Sequence, residues 1–510
     1  MKVPFTTPKN HQASHPKPLY RNNTVRSTTA PYEPKSVLDL RRSPSPVADK
    51  PAGNSDFPVL SDALLQSDDP TLIWVDHLLN NSEDWNSLVR ELGLHDDSTV
   101  PLLTHSDSQF PILPEFPIPP SDFAFSDTYS NPSLSLNSNS VVPNNNINIE
   151  FDIVDELIRV ADCFESNELQ LAQVILARLN QQLQSPIGKP LLRAAFYFKE
   201  ALQSLLTQSN RPTRFRSSSE IVQTIKAYKT FSNISPIVMI SNFTANQAIL
   251  EAVDGSRLIH VIDFEIGLGG HWASFMKEIA DRTDSQKPNP RILRITAVVS
   301  EEYENESRLI RENLSQFARE LKIGFEIDFL LIRTFEFLSF KSIKFMAGEK
   351  TAVLLSPSIF RHIGAGFLTD LRRISPNVVV YVDGEGCIDG GTSLFRGRVI
   401  NGLEFYSTVL ESLEAASGGC GDWIRGIERF LLRPKIFEVV EAAGRRAPPW
   451  REAFGGSGMK AVALSLFADF QAECLLRKVQ VKGFHVVKRQ AEMVLCWHDR
   501  AMVATSAWKC

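Results

Sequence analysis

Apolar residues change their spacing twice along this chain. Up to about residue 150 they are sparse and irregular. From "FDIVDELIRVADCFESNELQLAQVILARLNQQLQ" onward they recur at helical spacing: Ile153, Leu157 and Val160 first, then Leu169, Leu176 and Leu183 seven apart. Leucines at sevens suggest a zipper, but three heptads is the lower limit for a coiled coil. "SPIGKP" breaks the pattern and "LLRAAFYFKEALQSLL" resumes it. The spacing predicts a helical bundle of roughly 100 residues.

The second change comes at Leu258. "LIHVID", "RILRITAVV", "FEIDFLLI", "TAVLLSPS" and "NVVVYVDGE" are short, largely apolar runs separated mostly by amphipathic stretches such as "WASFMKEIA" and "SRLIRENLSQFARELK". That alternation predicts βαβ units around a largely parallel sheet. "GLEFYSTVLESLEA", "DWIRGIERFLL" and "LSLFADFQAECLLRKV" read as further helices. "FHVVKRQ", "EMVLCWHD" and "MVATSAW" follow with very short links. Links that short predict antiparallel strands at the sheet edge.

The first 150 residues are rich in Pro, Ser, Asn and Asp, too polar to offset chain entropy by burial, and are read as disordered. Two islands interrupt them. Arg41 and Arg42 stand beside Ser43 and Ser45, each serine followed by proline. This reads either as a proline-directed phosphorylation site or as a solvated charge cluster. In "TLIWVDHLLNNSEDWNSLVRELGL", Leu72, Val75, Leu78 and Leu79 recur at helical spacing, with Trp85, Leu88, Val89 and Leu92 beyond. That helix would order against a partner or dock on its own domain.

Composition adds boundaries. The chain has 510 residues, 43% hydrophobic and 22% charged, enough for a sizeable core. A net charge of -5 gives no whole-chain signal for nucleic acid, though a local basic face remains open. Candidates for such a face are Arg211, Arg214 and Arg216 in "NRPTRFRSS", and Arg396 and Arg398 in "FRGR". The six cysteines form no CxxC pair and have no histidine at metal spacing, so a reduced intracellular compartment is expected and no metal. Neither a signal-peptide core nor an apolar run near the ~20 residues of a membrane span occurs.

The chemical candidate is "LIHVIDFEIGLGGHW". Glycines between a strand and a helix let backbone approach a phosphate or ribose. Gly267, Gly269 and Gly270 fall short of the full G-x-G-x-x-G pattern. Asp263 closes the strand. The second carboxylate expected at the end of the next strand, Glu301, is loosely spaced, and His271 and Trp272 crowd the helix start. The turn therefore reads as a relic of a cofactor site, with no cofactor expected, and Asp263 is expected to stabilise the turn beside the helix N–H groups. The acids and glycines of "DGEGCIDGG", Asp383 to Gly391, read as a flexible acidic loop rather than as three carboxylates binding a metal, and His362 and His485 as lone histidines. No G-x-S-x-G elbow or H-E-x-x-H pair occurs. In "LQSLL", Leu202, Leu205 and Leu206 match the LxxLL docking pattern, though leucines so spaced are more often core.

These segments, in this order, resemble the GRAS family of plant transcriptional regulators. Ile259, His260, Val261, Ile262 and Asp263 correspond to its VHIID motif with two aliphatic positions exchanged. Pro376, Phe405, Tyr406, Arg425 and Glu428 match its PFYRE region. Ser506, Ala507 and Trp508 match its SAW ending, with Trp450 and Trp497 at its other tryptophan positions. "EPKSVLDLRRSPSP" and "FEIGLGGHWASFM" are similar to the Hairy Meristem (scarecrow-like) branch. Departures are Arg445 and Arg446 in place of a fuller Arg-Glu-Arg stretch, His271 where many members carry Gln, and a head without DELLA.

The resemblance implies a regulatory region over 1–149 and a GRAS domain over 150–510. Within the latter it places a first leucine-rich region forming a helical cap (150–215), VHIID (228–300), a second leucine-rich region (303–335), PFYRE (340–435) and SAW (438–510). It implies a methyltransferase-like, Rossmann-type α/β core and a non-enzymatic nuclear regulator of transcription in meristem maintenance and development. Such a regulator would bind transcription factors and other nuclear proteins, and would form homo- or heterodimers with other family members. Leu169, Leu176, Leu183, Leu202, Leu205 and Leu206 are its candidate contacts. Direct DNA binding and S-adenosylmethionine-dependent methyl transfer are the alternatives.

Overall fold

A computed structural model describes residues 145–207, 216–282, 291–385, 394–417, 421–443, 450–479 and 481–510, with only the backbone for 145–151. Of the head expected to be disordered over 1–149, residues 1–144 lie outside these residues, as do its two islands, Arg211, Arg214, Arg445 and Arg446; residues 145–149 are instead the start of a helix, continuous with the apolar stripe that follows.

Five helices come first: α1 (Asn145–Ser166), α2 (Leu169–Gln182), α3 (Pro190–Leu206), α4 (Ser218–Ile234) and α5 (Pro236–Ala252). Their starts are written locally. Pro190 and Pro236 take the first helical position, where a missing N–H costs nothing. Ser217 and Glu220 form a reciprocal capping box on α4. The alternating region then runs β1 (Leu258–Asp263), α6 (Gly270–Asp281), β2 (Ile292–Val299), α7 (Glu304–Glu320), β3 (Gly324–Leu331), α8 (Ile332–Leu338), β4 (Lys350–Leu355), α9 (Pro357–Ile363), α10 (Leu368–Ile374) and β5 (Val378–Asp383). After it come α11 (Phe395–Ser417), α12 (Asp422–Ile427), a π-turn (Glu428–Leu432), α13 (Arg433–Ala443), α14 (Trp450–Gly456), β6 (Lys460–Val462), α15 (Leu466–Arg477), β7 (Phe484–Arg489), β8 (Glu492–Trp497) and β9 (Arg500–Lys509).

The sheet order is β3-β2-β1-β4-β5-β9-β8-β7, parallel through β5 and antiparallel from β9 on. This is the expected Rossmann-type arrangement. Neighbours reverse at β1/β4, where such sheets open a crevice beyond their carboxyl ends. The central strands are buried on both faces, which explains their unbroken apolar runs. Ile259 and Val261 of β1 pack under α5, α6 and α7, while Ile262 joins the opposite face under α8 to α10 and α14. The short β6, which the pattern did not reveal, pairs with β9.

The cap is wider than the expected 150–215. Helices α1 to α3 share one hydrophobic core with α11, α12 and α13, more than 180 residues later. Their approach is close: a Cβ on Gly402 of α11 would stand 2.8 Å from the Phe198 ring of α3. A buried charge cluster locks the two halves. Arg193 of α3, 1% exposed, lies 3.0 Å from Glu428 in the π-turn and pairs with Glu414 of α11. The Tyr197 hydroxyl donates to Glu428 at 3.1 Å. Burial pushes the Glu428 carboxyl up, opposed by Arg193.

This packing corrects the reading of the leucine series. Leu176, Leu183 and Leu202 are buried in the shared core, and Leu205 and Leu206 pack partly against it. Only Leu169 is exposed. Seven-residue spacing here marks the inward stripe of a bundle, so the buried leucines offer no surface.

Replacing Arg193 by Ala leaves Glu428 buried without its cation. We expect a loss of about 3–5 kcal/mol in chemical denaturation, mostly recovered by Arg193→Met combined with Glu428→Leu.

Candidate functional site at the carboxyl mouth of the sheet

The mouth is built where β1 runs into the glycine turn. Gly267 and Gly269 hold φ of 54° and 83°, conformations that side chains resist, and Gly269 caps α6. A Cβ on Gly269 would sit 3.2 Å from both Ile310 and Leu314, so α7 rests directly on the turn. Gly270, the first residue of α6, is buried.

Asp263 is 1% exposed, and its carboxylate is fully engaged by the chain itself. Oδ1 accepts the Glu265 N–H at 2.9 Å, and Oδ2 accepts the Trp272 indole N–H at 2.7 Å. Burial pushes its pKa up to about 6, against the pull of these two donors. His271 stacks on the Trp272 ring at 4.6 Å and contacts the Asn246 side-chain oxygen at 2.8 Å. Desolvation drags its pKa down to about 4, so it is neutral at physiological pH. The Tyr303 hydroxyl donates to the Gly267 carbonyl at 2.5 Å, closing the turn from the β2 side. Glu301 faces outward and pairs with Arg333 of α8 at 3.0 Å. The two carboxylates of a ribose site are thus held apart, each with a partner.

Charged residues fill the rest: Asp383 and Glu385 from the acidic loop, and Glu265, Arg361, Lys435 and Glu438, which the sequence did not single out. Glu265 pairs with Lys435 of α13 at 3.1 Å. Burial alone would raise the Glu265 carboxyl, but Lys435, Ser356 and Arg361 bring it below its ordinary value. Glu265 in turn raises the Lys435 ammonium. Arg361 of α9 grips Glu385 with both terminal nitrogens, and Asp383 Oδ1 accepts the Glu385 N–H at 3.1 Å. Glu438, pushed up by burial and by Glu265, completes the rim. The mouth is crossed by ion pairs between the sheet ends and the cap. No spacing rule links Lys435 to Glu265, so only the fold could reveal the pair.

The other motif residues have structural places. His260 of β1 is buried, with Nδ1 2.9 Å from Glu349 and Nε2 2.9 Å from the Thr296 hydroxyl. Pro376 is buried before β5. Phe405 and Tyr406 lie in the cap core, while Arg425 sits on the surface beside Asp422 at 3.4 Å and Glu428 is interior. Trp450, Phe454, Trp508 and Tyr381 form one aromatic cluster, the Trp508 indole donating to Ser506 at 2.9 Å. Ser506 and Ala507 are buried in β9, and Trp497 meets the cap core. His362, read as alone, contacts the Ser358 carbonyl at 2.8 Å. Among the basic candidates, Arg216 leans on Glu306 at 3.6 Å, Arg396 on Asp162 at 3.1 Å, and Arg398 is buried against the Ala442 carbonyl. Among the described residues no His, Cys, Asp and Glu group is arranged to hold a metal, and no helix is long and apolar enough to cross a membrane.

A family model for the GRAS domain family matches residues 153–509. The chain belongs to the GRAS family. Scarecrow-like protein 15 of Arabidopsis thaliana is 52% identical over 473 residues, covering 87% of this chain and 96% of that protein. Scarecrow-like protein 6 of the same plant is 38% identical over 365 residues, 70% of this chain and 63% of that one. The crystal structure of SCL7 in Oryza sativa superposes with a TM-score of 0.55 at 26% identity, over 70% of this chain and 99% of that chain. This GRAS protein is accordingly a plant transcriptional regulator in development.

Trp272→Phe removes a donor to the Asp263 carboxylate, so the carboxyl pKa should rise further. The variant should lose about 1.5–3 kcal/mol near neutral pH. A raised carboxyl pKa favours folding below the unfolded value and loses that advantage as pH rises through about 6. The gap between variant and wild type should therefore narrow between pH 7 and pH 5 in thermal melts; a constant gap contradicts the assignment.

Proposed function

We propose that this GRAS protein works in the nucleus as a transcriptional coregulator that binds transcription factors, and that its α/β core is a platform rather than a catalyst. The observation that carries the reading is the Trp272 indole on Asp263 at 2.7 Å: the acid at the cofactor position is used to hold the turn. The Glu265–Lys435 pair across the mouth supports the same reading. So does the outer face of α2, where Leu169, Leu171 and Val174 are exposed and the nearby Arg178 is paired with Glu156. An uncharged apolar helix face of this kind suits protein partners. Meristem maintenance is the proposed setting, from the resemblance to the Hairy Meristem branch.

Charge reversal on the α2 face tests the docking role. Leu171→Glu with Val174→Glu should leave the melting temperature within a degree or two, since both are surface sites. It should strongly reduce occupancy of target promoters measured by chromatin immunoprecipitation; unchanged occupancy removes this face from the mechanism. Calorimetry of the purified chain with S-adenosylmethionine should give no binding heat, and saturable binding would restore the enzyme alternative. Affinity of the purified chain for promoter DNA should be weak with a shallow salt dependence, whereas a log–log slope of several units would mean direct phosphate contacts.

A further inference from the structure

The sheet ends on one side at β3, and α8 follows it directly. Phe335 and Phe340 turn inward and meet edge to face at 5.1 Å. Between them, Phe337 and Leu338 turn outward, 84% and 51% exposed, with Leu331 and Phe345 exposed beside them. The residue that separates the two directions is Ser339, at φ 50° and ψ −142°. A residue with a side chain occupies such a region only under strain, and strain of this sort clusters where proteins bind and switch. The backbone is thus strained at the point where it holds large apolar groups in water. The rim is basic: Lys341 and Lys344 are exposed and make no ion pair among the described residues, while the nearby Arg333 is paired with Glu301. Glu336 is the one acid between Leu331 and Phe345.

We propose that this patch is the docking site for residues 72–92 of the same chain. Those residues lie outside the described ones, and their sequence supplies the match. Leu72, Val75, Leu78 and Leu79, then Trp85, Leu88 and Val89, give one apolar face at helical spacing. Asp76, Glu83, Asp84 and Glu91 oppose only Arg90, so the segment is acidic where the patch is basic. An amphipathic helix laid on an apolar patch with a complementary rim is a recurring recognition mode. The other exposed apolar faces fit less well. Leu466, Phe467 and Phe470 on α15 are bordered by Glu251 and by Asp469 and Glu473, which are already paired with Lys488 and Arg477, so this face offers an acidic segment no excess positive charge. The α2 face is nearly uncharged. Self-docking of two patches would set Lys341 and Lys344 of one copy against those of another. Some fifty residues connect position 92 to Asn145, and at ~3.4 Å each their extended reach far exceeds a domain diameter. Attachment to the same chain raises the local concentration of the segment to the millimolar range.

Zero-length carbodiimide cross-linking of the full-length chain, read by mass spectrometry, tests this. Lys341 and Lys344 should cross-link to Asp76, Glu83, Asp84 or Glu91 within one molecule, independent of dilution. Phe337→Glu should cut that yield about tenfold or more, the loss expected from removing one buried aromatic anchor. Glu83→Lys with Asp84→Lys should weaken the remaining links from Lys341 and Lys344 to Asp76 and Glu91 in the otherwise wild-type chain. The Lys435–Glu265 and Lys488–Asp469 pairs serve as internal controls for reaction and fold. The proposal fails if the controls react but Lys341 and Lys344 yield no link to 72–92. It also fails if those links form only between isotopically distinct copies, or persist unchanged in Phe337→Glu.

Discussion

A carboxylate buried at the end of a central strand must be given hydrogen-bond donors, because water cannot reach it. Asp263 is in that position, and the chain answers with the backbone N–H of Glu265 and the indole of Trp272. Much of the surrounding structure follows from this. Trp272 can reach back only if α6 starts immediately after the glycine turn. The turn in turn needs Gly269 bare, so that Ile310 and Leu314 of α7 can lie against it. In a cofactor-binding sheet the ribose hydroxyls are held by the acid that closes the next strand, a place taken here by Glu301, and the acid at the end of the first strand is left beside the open cofactor site. Here it is spent on the fold, and His271, Tyr303 and the Glu265–Lys435 pair fill the adjoining space.

The second constraint is the union of cap and core. Arg193 has no exposure to water and depends on Glu428 and Glu414, both from much later in the chain. α13 carries the same union across the mouth, since Lys435 reaches Glu265 while Arg433 pairs with Glu200 of α3 at 2.8 Å. The cap is therefore part of the domain that closes the sheet, and the mouth and the cap would be perturbed together by a change in either. Among the described residues, exposed apolar surface remains on the face of α2, in the patch after β3 and on α15.

The strand–helix alternation, the parallel sheet and the antiparallel ending were legible because each depends on local spacing: period two or unbroken apolar runs for strands, 3.6 for helices, very short links for hairpins. The motif order from Ile259 to Trp508 was legible through its resemblance to the GRAS family, residue by residue. The reading of His271 and Trp272 as crowding the turn rested only on side-chain volume at a helix start, which could not reveal the bond that Trp272 makes with Asp263.

What the sequence alone determined, then, is the identity and order of the elements and the family they belong to. Tertiary structure decided which faces are inside. Leu176, Leu183 and Leu202 carry the same local pattern as a docking stripe, and only the arrival of α11 to α13 makes them core. Lys435 and Arg361 look like any surface cations until the fold sets them opposite Glu265 and Glu385. Burial and charge pairing between residues distant in sequence are properties of the packed chain, because they depend on what else occupies the space, and no local period encodes that.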